Sequence, residues 1–98
     1  MDIELTDYEL TPATTLIRGF WIDLGSRVEK DSGWMRIEWL IANRLELLKR
    51  GDTDVGLLYR NPADNSLWHY WLVAPQMADG GPPALEKISA EQAASIFG

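Results

Sequence analysis

Residues 34–50, WMRIEWLIANRLELLKR, decide how this chain is read. At about 100° per residue, Trp34, Ile37, Leu40, Ile41, Leu45, Leu47 and Leu48 share one broad arc of a helix. Glu38, Ala42, Asn43, Glu46, Lys49 and Arg50 lie outside that arc. Asp31 or Ser32 stands where a cap for the free N–H groups is needed, and Gly51 follows as a C-cap glycine would. Lys49 and Arg50 fall in the expected last turn, where the negative end of the helix dipole favours cations. One long amphipathic helix is therefore expected here, with Arg44 inside its apolar arc and Met35 and Trp39 on its polar side. The plain reading of Arg44 is a guanidinium carried to solvent or to a carboxylate over a packed stem. Trp39 is either covered by a loop or the N-terminal arm, or presented to a partner.

Outward from this helix, the flanks read as strands. Leu16–Asp23 is β-branched and aromatic and ends in a Gly25-Ser26 turn, with Arg27–Lys30 as a short hairpin partner. Val55–Arg60 is a second strand, and the turn formers of Asn61–Asn65 lead into a third, Leu67–Ala74. That third strand is apolar on both parities (Leu67, His69, Trp71, Val73 and Trp68, Tyr70, Leu72, Ala74), which predicts a central position in a sheet. One of its faces should meet the helix and the other needs a cover or a partner. Pro75 stops the strand, Met77–Pro83 makes a loop, and Ala84–Ile88 supplies a last strand. Ser89 and Gln92 have capping-box spacing and open a short C-terminal helix. Residues 1–15 alternate acidic and apolar side chains, as an acidic arm or an edge strand would. The expected fold is α+β in one domain over residues 1–98: a mainly antiparallel sheet of four to five strands on one long helix.

The chain has 98 residues, enough for one modest core, and a 46% apolar composition to fill it. With no cysteine there is no disulfide framework, no thiolate nucleophile and no Cys-ligated metal. No apolar run approaches the ~20 residues of a membrane span, and the acidic start MDIELTDYEL is unlike a secretory signal. A cytoplasmic protein is expected. Fifteen acidic against nine basic residues give a formal charge of −6, which disfavours nucleic acid and anionic membranes as direct partners and permits a basic protein.

Chemistry-bearing patterns are sparse. The single histidine, His69, has no motif-placed nucleophile or orienting group beside it. Asp52 and Asp54 lack the further ligands of a calcium loop, and Gly80-Gly81 is followed by prolines, not a phosphate-loop lysine. No catalytic residue, metal or cofactor is expected. The functional signal is an aromatic surplus (Trp21, Trp39, Tyr59, Trp68, Tyr70, Trp71) with a surplus of carboxylates, which suits a binding surface.

Four blocks in order then resemble a known family. They are Arg36-Ile37-Glu38-Trp39-Leu40-Ile41, Leu58-Tyr59-Arg60-Asn61-Pro62 with Asp64, Gly80-Gly81-Pro82-Pro83, and Ile88-Ser89-x-Glu91-x-Ala93. Together they are similar to the immunity protein 27 family of bacterial polymorphic toxin systems, with Gly19–Asp23 resembling its first strand. The resemblance runs from about residue 18 to the end. It departs at Arg44, in place of an aromatic, and at Asp79, in place of a glycine, and residues 1–15 have no counterpart.

The resemblance implies a cytoplasmic antitoxin that binds a cognate toxin domain and blocks its active site or substrate cleft. The acidic charge makes a basic, nucleic-acid-cutting toxin the expected target. The expected contact residues are Tyr59, Asp64, Trp68, Tyr70 and Asp79, on the sheet face away from the helix and the loops beside it. Should Trp68 and Tyr70 lie beneath the helix, His69 and Trp71 take their place. The protein is expected as a monomer or homodimer. The alternative function is a non-catalytic adaptor that homodimerises through the same aromatic face.

Overall fold

A computed structural model describes residues 8–52, 55–73 and 81–98. The elements run β1 (Leu16–Arg18), β2 (Trp21–Asp23), β3 (Val28–Lys30), α1 (Ser32–Asn43), β4 (Glu46–Arg50), β5 (Leu57–Asn61), β6 (Ser66–Leu72), β7 (Pro83–Ile88) and α2 (Ala90–Phe97). Five strands form an antiparallel sheet in the order β1-β7-β6-β5-β4, and β2 and β3 pair apart from it as a two-stranded ribbon. The architecture is α+β, and β6, the doubly apolar strand, is central.

The stretch that anchors the sequence reading splits in two. The helix starts where expected: Asp31 caps it, its side chain accepting from the Trp34 N–H at 2.9 Å and from the Phe20 N–H at 2.9 Å. It stops at Asn43, not at Gly51. The Asn43 side-chain amide donates to the Trp39 carbonyl at 2.9 Å, and the N–H groups of Arg44 and Leu45 both turn onto the Leu40 carbonyl at 2.8 Å. Asparagine competes with the helix for backbone partners in this way. Glu46–Arg50 then runs as an edge strand, with Leu47 opposite Tyr59 and Lys49 opposite Leu58 across a bulge at Leu48. Lys49 still serves a helix end, since its ammonium donates to the Gly98 carbonyl beyond α2 at 2.9 Å.

The predicted strand Leu16–Asp23 is also divided. Its first part pairs with β7 in the main sheet, and after Gly19-Phe20 its second part turns away to pair with β3. The main core lies between α1 and the sheet: Ile17, Ile37, Leu40, Leu45, Tyr59, Trp68 and Leu85. Gly33 brings the first turn of α1 against β1. A Cβ there would stand 2.3 Å from the Arg18 carbonyl oxygen. On the other face α2 closes a smaller cluster, Leu58, Ile88 and Ala93 with Leu67 and Phe97. Its capping box is formed as expected, Ser89 and Gln92 each bonding the other's backbone N–H.

Candidate partner-binding site

Register decides which parity of β6 meets α1. Trp68 stands opposite Tyr59, and Tyr70 stands between Leu57 and Leu85, so these rings share a face with Ile17. The opposite parity sets His69 beside Leu58 and Glu86 and Leu67 beside Arg60 and Ile88. The helix covers the first face, because it offers more ring and aliphatic surface and fewer charges to desolvate. The expectation that Tyr59, Trp68 and Tyr70 lie on the face away from the helix is therefore corrected. Trp68 is 2% exposed, Tyr59 is buried and Tyr70 is half-buried. Burial raises the phenol pKa of both Tyr59 and Tyr70. His69 and Trp71 are half-buried on the other face, where Phe97 of α2 meets the imidazole edge-on at 5.4 Å.

Asp64 is exposed in the β5–β6 turn and is joined to Trp68 through one serine. Its Oδ1 accepts from the Ser66 N–H at 2.9 Å and from the Ser66 hydroxyl at 2.6 Å. The Ser66 hydroxyl oxygen in turn accepts from the Trp68 indole N–H at 2.9 Å. The Ser66 hydroxyl above all, then its amide, lowers the Asp64 carboxyl pKa. The relay holds the turn and satisfies the one polar atom of the largest buried side chain. Asp79, the remaining expected contact, lies outside the described residues.

At the opposite end of the sheet, the described residues leave several large apolar side chains in water. Here β6 ends, β5 and β7 begin, and the ribbon leaves β1. Phe20, Trp21, Ile22, Leu24 and Val28, on or beside the ribbon, are 39–53% exposed. Beneath the ribbon, a cleft of about 370 Å³ is lined by Trp21, Lys30, Trp34, Glu38, Tyr70, Leu72, Gly81 and Pro83. The Lys30 ammonium bridges both Glu38 oxygens at 3.0 and 3.2 Å and lies 5.2 Å from the Trp34 ring centre. Trp21 meets Trp34 edge-on at 4.7 Å. A second cleft of about 220 Å³ lies between Gly51, Asp52, Gly56 and the Tyr70–Leu72 segment. Tyr70 borders both, and among the described residues it is the expected contact residue that lines them. Trp21, Trp34, Lys30 and Glu38 were not among the expected contacts. Only the folding of the ribbon over α1 assembles them; Trp21 was legible as part of the aromatic surplus.

The block Arg36–Ile41 has a role at each position. Ile37 and Leu40 are fully buried, Ile41 packs half-buried against the same core, and Glu38 reaches the first cleft. Arg36 donates to the carbonyls of Tyr8 and Glu9 at 3.1 and 2.8 Å, and burial lowers its pKa. Trp39 is covered by the N-terminal arm, with Tyr8 at 5.9 Å and the Arg44 guanidinium 4.8 Å from its ring centre. Arg44 meets a carboxylate, that of Glu9, whose pKa the guanidinium lowers. Among the described residues no three His, Asp or Glu side chains gather as a metal site would need, and no helix is long and apolar enough to cross a membrane.

Neither the curated proteins nor the solved structures provide a match to this chain. A family model does: Immunity protein 27 matches residues 23–89, from the end of β2 through β7 to the cap of α2. The match leaves out Trp21 and the whole of α2, and it contains the other lining residues of both clefts. With well over half of its length aligned to that model, the chain belongs to the Immunity protein 27 family.

Proposed function

We propose that this protein is a cytoplasmic antitoxin that binds a cognate toxin domain of a polymorphic toxin system and blocks its active site or substrate cleft. It does so by occlusion, without bond-making of its own. Family membership supports the antitoxin role. The observation that carries the binding surface is the ribbon end, where five large apolar side chains stay in water beside an aromatic cleft. Exposed apolar patches of this kind mark interaction sites more often than they serve the fold. The contact set is the ribbon with Tyr70; Asp64 and Asp79 are carried as carboxylates that steer a basic partner. The charge of −6 favours a toxin with a basic, nucleic-acid-binding cleft as target.

The test is co-expression with the toxin encoded next to this chain, followed by co-purification. Rescue from toxicity is expected in the wild type and is expected to weaken when Trp21 and Ile22 are changed to Ser. Rescue that survives reversal of Asp64, Asp79 and Glu86 to lysine would contradict the electrostatic part. Homodimerisation through the aromatic sheet face has less surface to work with, since Trp68 and Tyr59 already pack beneath α1. A tight dimer in sedimentation that persists with Trp21→Ser would favour it.

A further inference from the structure

We infer that the cleft beneath the ribbon is a receptor for one arginine side chain of the toxin, and that Lys30 occupies it in the free protein as an internal stand-in. This rests on the antitoxin reading for the identity of the partner, but the receptor itself is a matter of geometry. The walls are the rings of Trp21, Trp34 and Tyr70 with the apolar faces of Leu72 and Pro83, and among the lining residues Glu38 supplies the carboxylate. Aromatic rings around a carboxylate make a site for an organic cation, through the ring quadrupoles and the charge together. A cation is in place already: the Lys30 ammonium bonds both Glu38 oxygens and faces the Trp34 ring. The field of Glu38 also reaches Tyr70, where it adds to the burial that raises the phenol pKa.

Two features make Lys30 replaceable. The side chains of Lys30 and Glu38 are 45% and 52% exposed, and ion pairs so open to water contribute little to folding. Lys30 also ends β3 in a ribbon that pairs apart from the main sheet, so its flexible stem can swing out without breaking a ladder bond of the core. Arginine is the better guest. Its planar guanidinium stacks on indole faces and presents paired N–H groups to both oxygens of one carboxylate, whereas an ammonium is a compact point charge. The exposed apolar residues Phe20, Ile22 and Val28 lie on or beside the same ribbon, placed to grip the apolar surroundings of that arginine.

The experiment titrates the intact protein with N-acetyl-arginine methylamide and follows the indole N–H resonances of Trp21 and Trp34. The isosteric, uncharged citrulline analogue and the lysine analogue are run alongside, and the buried Trp68 indole signal serves as the check on folding. A saturable shift is expected with arginine. Lys30→Gln, which removes the resident competitor, should tighten it about three- to tenfold, and Glu38→Gln should weaken it by at least as much. Equal loss in both variants, or an equal response to citrulline, would overturn the receptor. An equal response to lysine would overturn its preference for arginine. The same variants are then used to capture the toxin encoded next to this chain. Weaker capture by Glu38→Gln and stronger capture by Lys30→Gln would extend the receptor to that partner. Capture unaffected by either variant would refute the receptor's role while leaving the antitoxin reading standing. No capture by wild type would sink that reading, and the arginine titration would still decide the cleft.

Discussion

At the turn end of the sheet, Trp68 is 2% exposed and its indole N–H is held by Ser66 and, through it, by Asp64. At the ribbon end, Trp21 is 39% exposed and rests edge-on against Trp34 over an open cleft. The same residue type does opposite work at the two ends. Trp68 lies under α1 with its polar atom satisfied, so its surface serves folding. Trp21 keeps much of its surface in water, on a ribbon that the main sheet does not hold, so its surface remains available to a partner. On the proposed reading, stability and binding fall to different ends of one small body.

The largest effect should follow from breaking the closed end. Trp68→Ala removes a buried ring and the indole N–H that donates to the Ser66 hydroxyl, and a loss of about 3–5 kcal/mol is expected in urea unfolding. A loss under 1 kcal/mol would mean that the core does not depend on that end. Next comes Gly56→Ala, at the floor of the second cleft. Gly56 has φ +95°, and a Cβ there would stand 2.1 Å from the Tyr70 carbonyl oxygen. A loss of about 2–3 kcal/mol is expected, because both the backbone conformation and the close approach oppose a side chain.

Asp31→Ala tests the joint between the ends, since that carboxylate caps α1 and also holds the Phe20 N–H. About 1–2 kcal/mol should be lost. The proposed toxin-binding surface should suffer with it, because the ribbon loses a tether.

The acid dependence is smaller and belongs to the closed end and the arm. The Asp64 and Glu9 carboxyl pKa values lie below their ordinary values, through the Ser66 hydroxyl and the Arg44 guanidinium respectively. A depressed folded-state pKa contributes stability above the unfolded value, lost as pH falls through the folded one. Urea midpoints should therefore decline below about pH 4, and Asp64→Asn with Glu9→Gln should flatten that limb. The smallest expected change in stability is that of Trp21→Ser, under about 1 kcal/mol, combined with a clear loss of toxin capture. A large loss of stability there would erase the distinction between the two ends.

Several features were readable from residues alone because they depend on near neighbours in the chain. Ser89 and Gln92 form their capping box, Asp31 caps α1, and the double apolarity of β6 puts it in the middle of the sheet. The α+β class follows from the same local patterns. The length of α1 does not. Leucines at 45, 47 and 48 fit a helical arc as well as a strand, and the pairing of Leu47 and Lys49 with β5 decides for the strand. In that stretch Asn43 was the local sign of a break.

By itself, then, the sequence determined the element types outside residues 45–50, the absence of cysteine chemistry, the acid excess and the blocks that mark the family. Tertiary structure alone decided which face of β6 lies under α1, since one parity sets Trp68 and Tyr70 beside Tyr59, Leu57 and Leu85 and the other sets Leu67 and His69 beside Arg60 and Glu86. It also decided that Trp21, Lys30, Trp34 and Glu38 meet Tyr70 around one cleft. Those residues come from four elements, and their meeting depends on the ribbon turning away from β1 to lie over α1. Periodicity records the face a residue takes on its own element; it carries no information about which other element that face will meet.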